Sequence, residues 1–124
     1  MLRLPPFKYH SPSSIADAVA LKAEYGDSGM YSAGGTDLFP NMKRRQFTPK
    51  NLIGLAELKE LQTISEEISS KGLLIGSGVS LTEVAENHKI RELFPALSQA
   101  ATLVSAPQLR NMGTIGGNLC LDTR

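Results

Sequence analysis

Cysteine is nearly absent: Cys120 stands alone in a chain of 124 residues. A lone thiol excludes an internal disulfide, fits a reducing compartment and leaves no CxxC pair for metal or redox chemistry. Without a partner, Cys120 reads as a core cysteine. Charge of one sign is missing too. Thirteen Lys and Arg against twelve Asp and Glu leave a net charge of +1, which makes no electrostatic case for nucleic acid or an acidic membrane surface. No apolar run approaches the ~20 residues that a membrane-spanning helix needs. The opening Met1-Leu2-Arg3-Leu4-Pro5-Pro6 lacks the continuous apolar stretch of a signal peptide, so the expected compartment is the cytoplasm. His10 and His88 have neither a second histidine nor a carboxylate at metal-ligand spacing and read as strand or surface histidines. No Ser/His/Asp set, paired carboxylates or metal-ligand group is seen, so no acid–base, nucleophilic or metal residue is assigned.

What the chain does have is glycine in pairs. Met30-Tyr31-Ser32-Ala33 is a short apolar run leading into Gly34-Gly35, then Thr36-Asp37, then Leu38, Phe39 and Met42 at helical spacing. The pattern predicts strand, tight turn, helix start. Glycine permits positive φ and keeps side chains from blocking the backbone. The first N–H groups of a helix lack internal partners and lie at the positive end of its dipole, so a phosphate suits the place. The plain alternative is a turn with Thr36 as N-cap. The Asp37 carboxylate, awkward beside a phosphate, is expected to turn away and accept backbone N–H bonds as caps do.

A second stretch, Gln108-Leu109-Arg110-Asn111-Met112-Gly113-Thr114-Ile115-Gly116-Gly117-Asn118-Leu119, repeats the ingredients. Two glycine-paired turns could hold the two phosphates of a diphosphate through backbone nests and hydroxyls. Neither fits the G-x-G-x-x-G or Walker spacing, which disfavours a standard dinucleotide fold or P-loop. Arg110 reads as a phosphate contact or as a partner for a carboxylate such as Asp122.

Ser32-Ala33-Gly34-Gly35-Thr36-Asp37-Leu38, then Ile75-Gly76-Ser77-Gly78-Val79-Ser80-Leu81, then Arg110 to Leu119 stand in a specific order. In that order they resemble the FAD-binding subunit of the molybdenum hydroxylases, the xanthine dehydrogenase and carbon monoxide dehydrogenase group. The ending Gly117 to Arg124 is most similar to the 4-hydroxybenzoyl-CoA reductase branch. The resemblance implies an α+β, two-lobed FAD-binding domain of the vanillyl-alcohol-oxidase-like type with its second lobe incomplete, since the family's chains run much longer. It implies FAD contacts at Ser32, Ala33, Gly34, Gly35, Thr36, Asp37, Leu38 and Phe39, and at Thr114, Ile115, Gly116, Gly117 and Asn118. The diphosphate is expected between the lobes, with electrons relayed between iron–sulfur centres and an outside carrier. The partners implied are a molybdenum-cofactor subunit and a 2Fe–2S subunit. The 4-hydroxybenzoyl-CoA reductase branch carries an extra iron–sulfur cluster on cysteines beyond this chain's end. A cluster needs several thiolates, so this chain by itself is expected to hold none. A fragment that serves only as a scaffold between subunits, or that binds another phosphorylated ligand, is the alternative.

Periodicity and turn chemistry fill in the rest. Phe7 to His10 reads as a strand, and Ser11-Pro12 as N-cap and first residue of a helix running to Tyr25, stopped by Gly26. Asn51 to Leu55 is a buried strand, Leu55 to Leu61 one or two helical turns, and 61–68 with 71–75 a hairpin across Ser69-Ser70. Ser80 and Glu83 make a capping box for a helix reaching about His88. Ile90 to Phe94 and, after Pro95, Ala96 to Val104 form a helical layer closed by Ser105-Ala106-Pro107. Lys43-Arg44-Arg45 reads as a solvated basic helix end, or as a contact for adenosine or a partner subunit. The first lobe is expected at residues 1–56 and the second at 57–124.

Overall fold

The computed structural model describes residues 2–67 and 72–121. The chain divides into two compact units, Met1–Lys59 and Glu60–Arg124.

The first unit is a three-stranded parallel sheet with helical crossovers. Its strands are β1 (Lys8–His10), β2 (Gly29–Ser32) and β3 (Asn51–Gly54), in the order β1-β3-β2. Parallel neighbours need long connections. Helix α1 (Ile15–Tyr25) joins β1 to β2, and α2 (Leu38–Lys43) joins β2 to β3. Tyr9 pairs with Leu52 on one side of β3, and Met30 pairs with it on the other. Leu52 is fully buried with Leu38 and Met42 of α2, under Leu4, Phe7, Met30, Phe39 and Phe47. Ile53 is also fully buried and, being the next residue in a strand, faces the other side of the sheet, where α1 packs. Each such side chain contributes about 1.5–3 kcal/mol of transfer free energy.

Helix α1 begins later than Ser11-Pro12 suggests. Its N-cap is Ser14, whose hydroxyl accepts from Asp17 N–H, and Ile15 is the first helical residue. Pro12 lies before the helix rather than in it. Hydrogen bonds from the Ser13 and Ser14 side chains hold the exposed Asp17 carboxyl below its usual pKa. Gly26 ends the helix as expected, and its N–H donates to Lys22 O.

The second unit opens with an antiparallel hairpin, β4 (Ile64–Glu67) and β5 (Gly72–Ile75), Ile64 opposite Ile75. The turn placed at Ser69-Ser70 lies outside the described residues. Five short helices follow: α3 (Leu81–Glu86), α4 (His88–Leu93), α5 (Pro95–Leu103), α6 (Pro107–Arg110) and α7 (Ile115–Leu119). Val79, Val84, Ala85, Ile90 and Ala101 form the core, flanked by Ile64, Leu73, Ile75, Leu97 and Ile115. The helix expected to reach about His88 ends at Glu86, and the helical stretch expected from Ile90 already begins at His88. Asn87 leaves the helical region with ψ 124°, and its side chain accepts from Ile90 N–H to start α4. The capping box is present: Ser80 Oγ accepts from Glu83 N–H at 3.2 Å, and Glu83 Oε2 accepts from Ser80 N–H at 2.9 Å. Ser80→Ala is expected to cost about 1 kcal/mol, read as a lowered thermal midpoint.

No helix among the described residues is long and apolar enough to cross a membrane.

Candidate functional site

The first glycine loop leaves the sheet at Ser32, which is buried, and runs through half-buried Ala33, Gly34, Gly35 and Thr36 to exposed Asp37. Two anchors shape it. Leu55 N–H donates to Ser32 O at 2.8 Å, which ties the end of β2 to the end of β3. Leu38 and Met42, one turn apart on α2, sink into the core. The direction change is made at Gly35, with φ +71°, while Gly34 stays out of the left-handed region. A Cβ on Gly35 would lie 2.5 Å from Phe39 Cδ2, so the phenyl ring closes over the bare Cα. Glycine is needed here for its φ and for the ring.

The amides of this loop are free. Among the described residues no intrachain acceptor meets the N–H of Gly34, Gly35, Thr36 or Asp37; the first amide of the turn with a partner is Phe39, which donates to Gly35 O at 3.1 Å. Asp37 corrects an expectation. It occupies the N-cap position but sits in the helical region, φ −101° and ψ −44°, and its carboxylate makes no capping bond. The cap is vacant because a side chain reaches back to N2 or N3 only from extended backbone.

The second glycine pair differs from a turn. Gly116 and Gly117 are inside α7, and Thr114 is its N-cap, accepting from Gly117 N–H at 3.0 Å. Three more amides are bonded within the fold. Ile115 N–H donates to Val79 O at 2.8 Å, Gly116 N–H to Ser77 O at 2.9 Å, and Asn118 N–H to Thr114 O at 2.9 Å. Of the amides from Thr114 to Asn118, Thr114 N–H alone has no intrachain acceptor among the described residues. This segment also offers a ligand the Thr114 hydroxyl hydrogen, which Gly117 N–H leaves free, and the half-buried Asn118 carboxamide. Gly116 has a packing reason. A Cβ on it would stand 2.6 Å from Ser77 Cβ and 2.7 Å from Ser77 O.

Gly76-Ser77-Gly78 connects β5 to the start of α3. In the fold it lies directly against the second glycine segment: Ser80 opposes Thr114 in an antiparallel bridge, and Leu81 N–H donates to Gly113 O at 2.9 Å. The only hint in the chain was a repeated small-residue composition, which does not specify pairing.

The other candidates resolve into structural roles. Arg110 Nη1 donates to Val104 O at 3.1 Å and to Ser105 O at 2.8 Å, tying down the bend where Ser105 takes φ 50°; Asp122 lies outside the described residues. Cys120 is exposed, not a core residue, because α7 contributes no buried side chain. His10 Nε2 lies 3.0 Å from Asn51 Oδ1, and its ring is 4.8 Å from that of Tyr25. His88 is exposed, 3.8 Å from Glu92. Lys43, Arg44 and Arg45 are exposed at the end of α2, and Arg45 has φ 62°. A concavity of about 290 Å³ beside β4 is lined by Ile64, Glu66, Leu73, Asn87, His88 and Lys89 and involves neither glycine segment.

The donors fit a phosphate-bearing cofactor unequally: four free amides at Gly34 to Asp37, against one free amide at Thr114 and the side-chain donors of Thr114 and Asn118. Residues 5–124 match the family described as the FAD binding domain in molybdopterin dehydrogenase. The carbon monoxide dehydrogenase medium chain of Hydrogenophaga pseudoflava is 38% identical over 115 residues, which are 93% of this chain and 39% of that one. The caffeine dehydrogenase subunit beta of Pseudomonas sp. strain CBB1 is 34% identical over 92% of this chain and 38% of its own length. The solved structure of the Hydrogenophaga carbon monoxide dehydrogenase lacking the Mo-pyranopterin moiety superposes with a TM-score of 0.89 at 37% identity, covering 94% of this chain and 40% of that chain. Quinoline 2-oxidoreductase from Pseudomonas putida 86 gives 0.87 at 28% identity. The chain thus spans about two-fifths of the length of these relatives, and its α+β architecture is theirs. With its motifs, its fold and the match over residues 5–124 in agreement, the chain belongs to the family of FAD-binding domains of molybdopterin dehydrogenases.

Proposed function

We propose that this chain binds FAD through Ser32–Phe39 and Thr114–Asn118, as the FAD-binding part of an electron-transfer subunit in a molybdenum-containing hydroxylase or reductase. The observation that carries the reading is the row of unpartnered amides from Gly34 to Asp37, in a chain of this family. Free amides at a helix start suit a diphosphate without any lysine. Gly35 supplies the positive φ of the turn, and Phe39 packs against its bare Cα from the core side. Thr114 donates its hydroxyl hydrogen and Asn118 its carboxamide N–H. None of these residues exchanges a proton with substrate: they bind, orient and exclude water. The flavin, when bound, supplies the redox chemistry.

The partners of this reading are a molybdenum-cofactor subunit and a 2Fe–2S subunit, with electrons passing from iron–sulfur centres to an outside carrier. Substrate chemistry belongs to the molybdenum subunit. The ending Gly117-Asn118-Leu119-Cys120-Leu121-Asp122-Thr123-Arg124 supports the 4-hydroxybenzoyl-CoA reductase branch, and the lone thiol supports a cytoplasmic setting.

The test is titration of the purified chain with FAD, followed by absorbance and by mass analysis of the ligand released on denaturation. The expected result is a yellow complex with one FAD per chain. A colourless chain that takes up no flavin overturns the reading, and release of a different phosphorylated molecule replaces FAD as the ligand.

A further inference from the structure

We propose that Thr82 and Asn111 are positioning residues for the flavin, acting through Thr114; the inference rests on the FAD reading above. Helix α7 buries no side chain of its own. Its start is held to the core by half-buried Ile115 and by a short backbone ladder to the segment Ser77–Leu81. The ladder runs from Gly116 N–H on Ser77 O, through Ile115 N–H on Val79 O, to Leu81 N–H on Gly113 O. At one end it is locked by shape, since Gly116 has no room for a Cβ against Ser77. At the other end it is locked by one side-chain pair: Thr82 Oγ1 donates to Asn111 Oδ1 at 2.6 Å.

That pair joins two different kinds of element. Thr82 stands in the first turn of α3, whose Leu81, Val84 and Ala85 are buried and which packs closely on α5. Asn111 ends α6, which buries nothing. Between Asn111 and Thr114 the chain has only Met112, which is exposed, and Gly113. Besides the Thr82 bond, the segment feeding the N-cap is tied to α3 by Leu81 N–H on Gly113 O, and to its own helix α6 by Gly113 N–H on Leu109 O at 2.7 Å. The Thr114 hydroxyl has a single hydrogen to donate, and the bond it accepts from Gly117 N–H orients the oxygen that carries it. A small shift of the N-cap therefore redirects the only hydrogen it can give, and small misplacements of a binding group are expensive.

The full chain carrying Thr82→Val, Thr82→Ser or Asn111→Ala is titrated with FAD beside the wild type, with absorbance spectra and thermal melts recorded for each. Thr82→Val and Asn111→Ala are expected to raise the FAD Kd roughly three- to tenfold, the worth of one hydrogen bond, and to shift the bound flavin's absorbance band. Thr82→Ser keeps the hydroxyl and restores both. The double variant is expected to bind no worse than either single, because the two residues share one bond. A Thr82→Val chain that binds FAD with wild-type affinity and spectrum overturns the inference alone. So does a Thr82→Ser chain as impaired as Thr82→Val, or additive losses in the double variant. A wild-type chain that takes up no flavin overturns the FAD reading and this inference together.

Discussion

Gly116→Val is expected to destabilise the second unit before it affects any ligand. The added Cβ would meet Ser77 Cβ at 2.6 Å, Ser77 O at 2.7 Å and Ser77 Cα at 3.0 Å. Two of these atoms are backbone and the third is bonded directly to it, so the conflict cannot be relieved by swinging a flexible side-chain end. Moving the segment apart also breaks Gly116 N–H to Ser77 O. Overpacking costs about 1–3 kcal/mol and the lost hydrogen bond about 1 more, which sets the effect on the order of 3 kcal/mol. The thermal midpoint is expected to fall by roughly 10 °C or more. Gly117→Ala is the matched control. Gly117 is exposed, and its added Cβ would meet only Thr114 Oγ1, at 3.0 Å. That chain is expected to stay folded by circular dichroism. Flavin loss in Gly116→Val together with a wild-type melt would contradict the packing role given to Gly116.

Gly35→Val is expected to abolish flavin retention and to lower the stability of the first unit. At φ +71° a residue with a Cβ loses about 1–2 kcal/mol, and a β-branched one fares worse. The Cβ would also stand 2.5 Å from Phe39 Cδ2. The ring must then move out of the cluster it forms with Leu38, Met42 and Leu52, and the free amides from Gly34 to Asp37 move with the turn. Gly35→Asn separates the two causes. Asparagine tolerates the left-handed region but still presents a Cβ to Phe39. An asparagine variant that melts and binds FAD like the wild type would show that φ alone requires glycine there. An intermediate loss would show that the ring contact matters as well. Wild-type flavin affinity in Gly35→Val would overturn the assignment of this loop to the cofactor.

Much of the local structure was legible along the chain. Ser80 and Glu83 cap each other because they are three residues apart, and nothing distant is needed for that. Gly26 ends α1 by the same local logic, and the short apolar runs at Asn51 and Met30 become paired strands. The first glycine loop was legible too, since strand, paired glycine and apolar helix face follow within a dozen positions. Asp37 was misjudged because its capping depends on its own φ and ψ, which the tertiary path of the loop sets.

Composition alone determined that this chain holds no disulfide and no cysteine pair for a metal, and its motif order determined the family. Those properties depend on which residues are present and in what sequence. Tertiary structure decided what the second glycine pair is for. Gly116 is small because Ser77, far away in the chain, passes within contact of its Cα, and the amides around it are consumed by Ser77 and Val79. A sequence shows that a side chain is missing; only the packed neighbour shows what occupies its place.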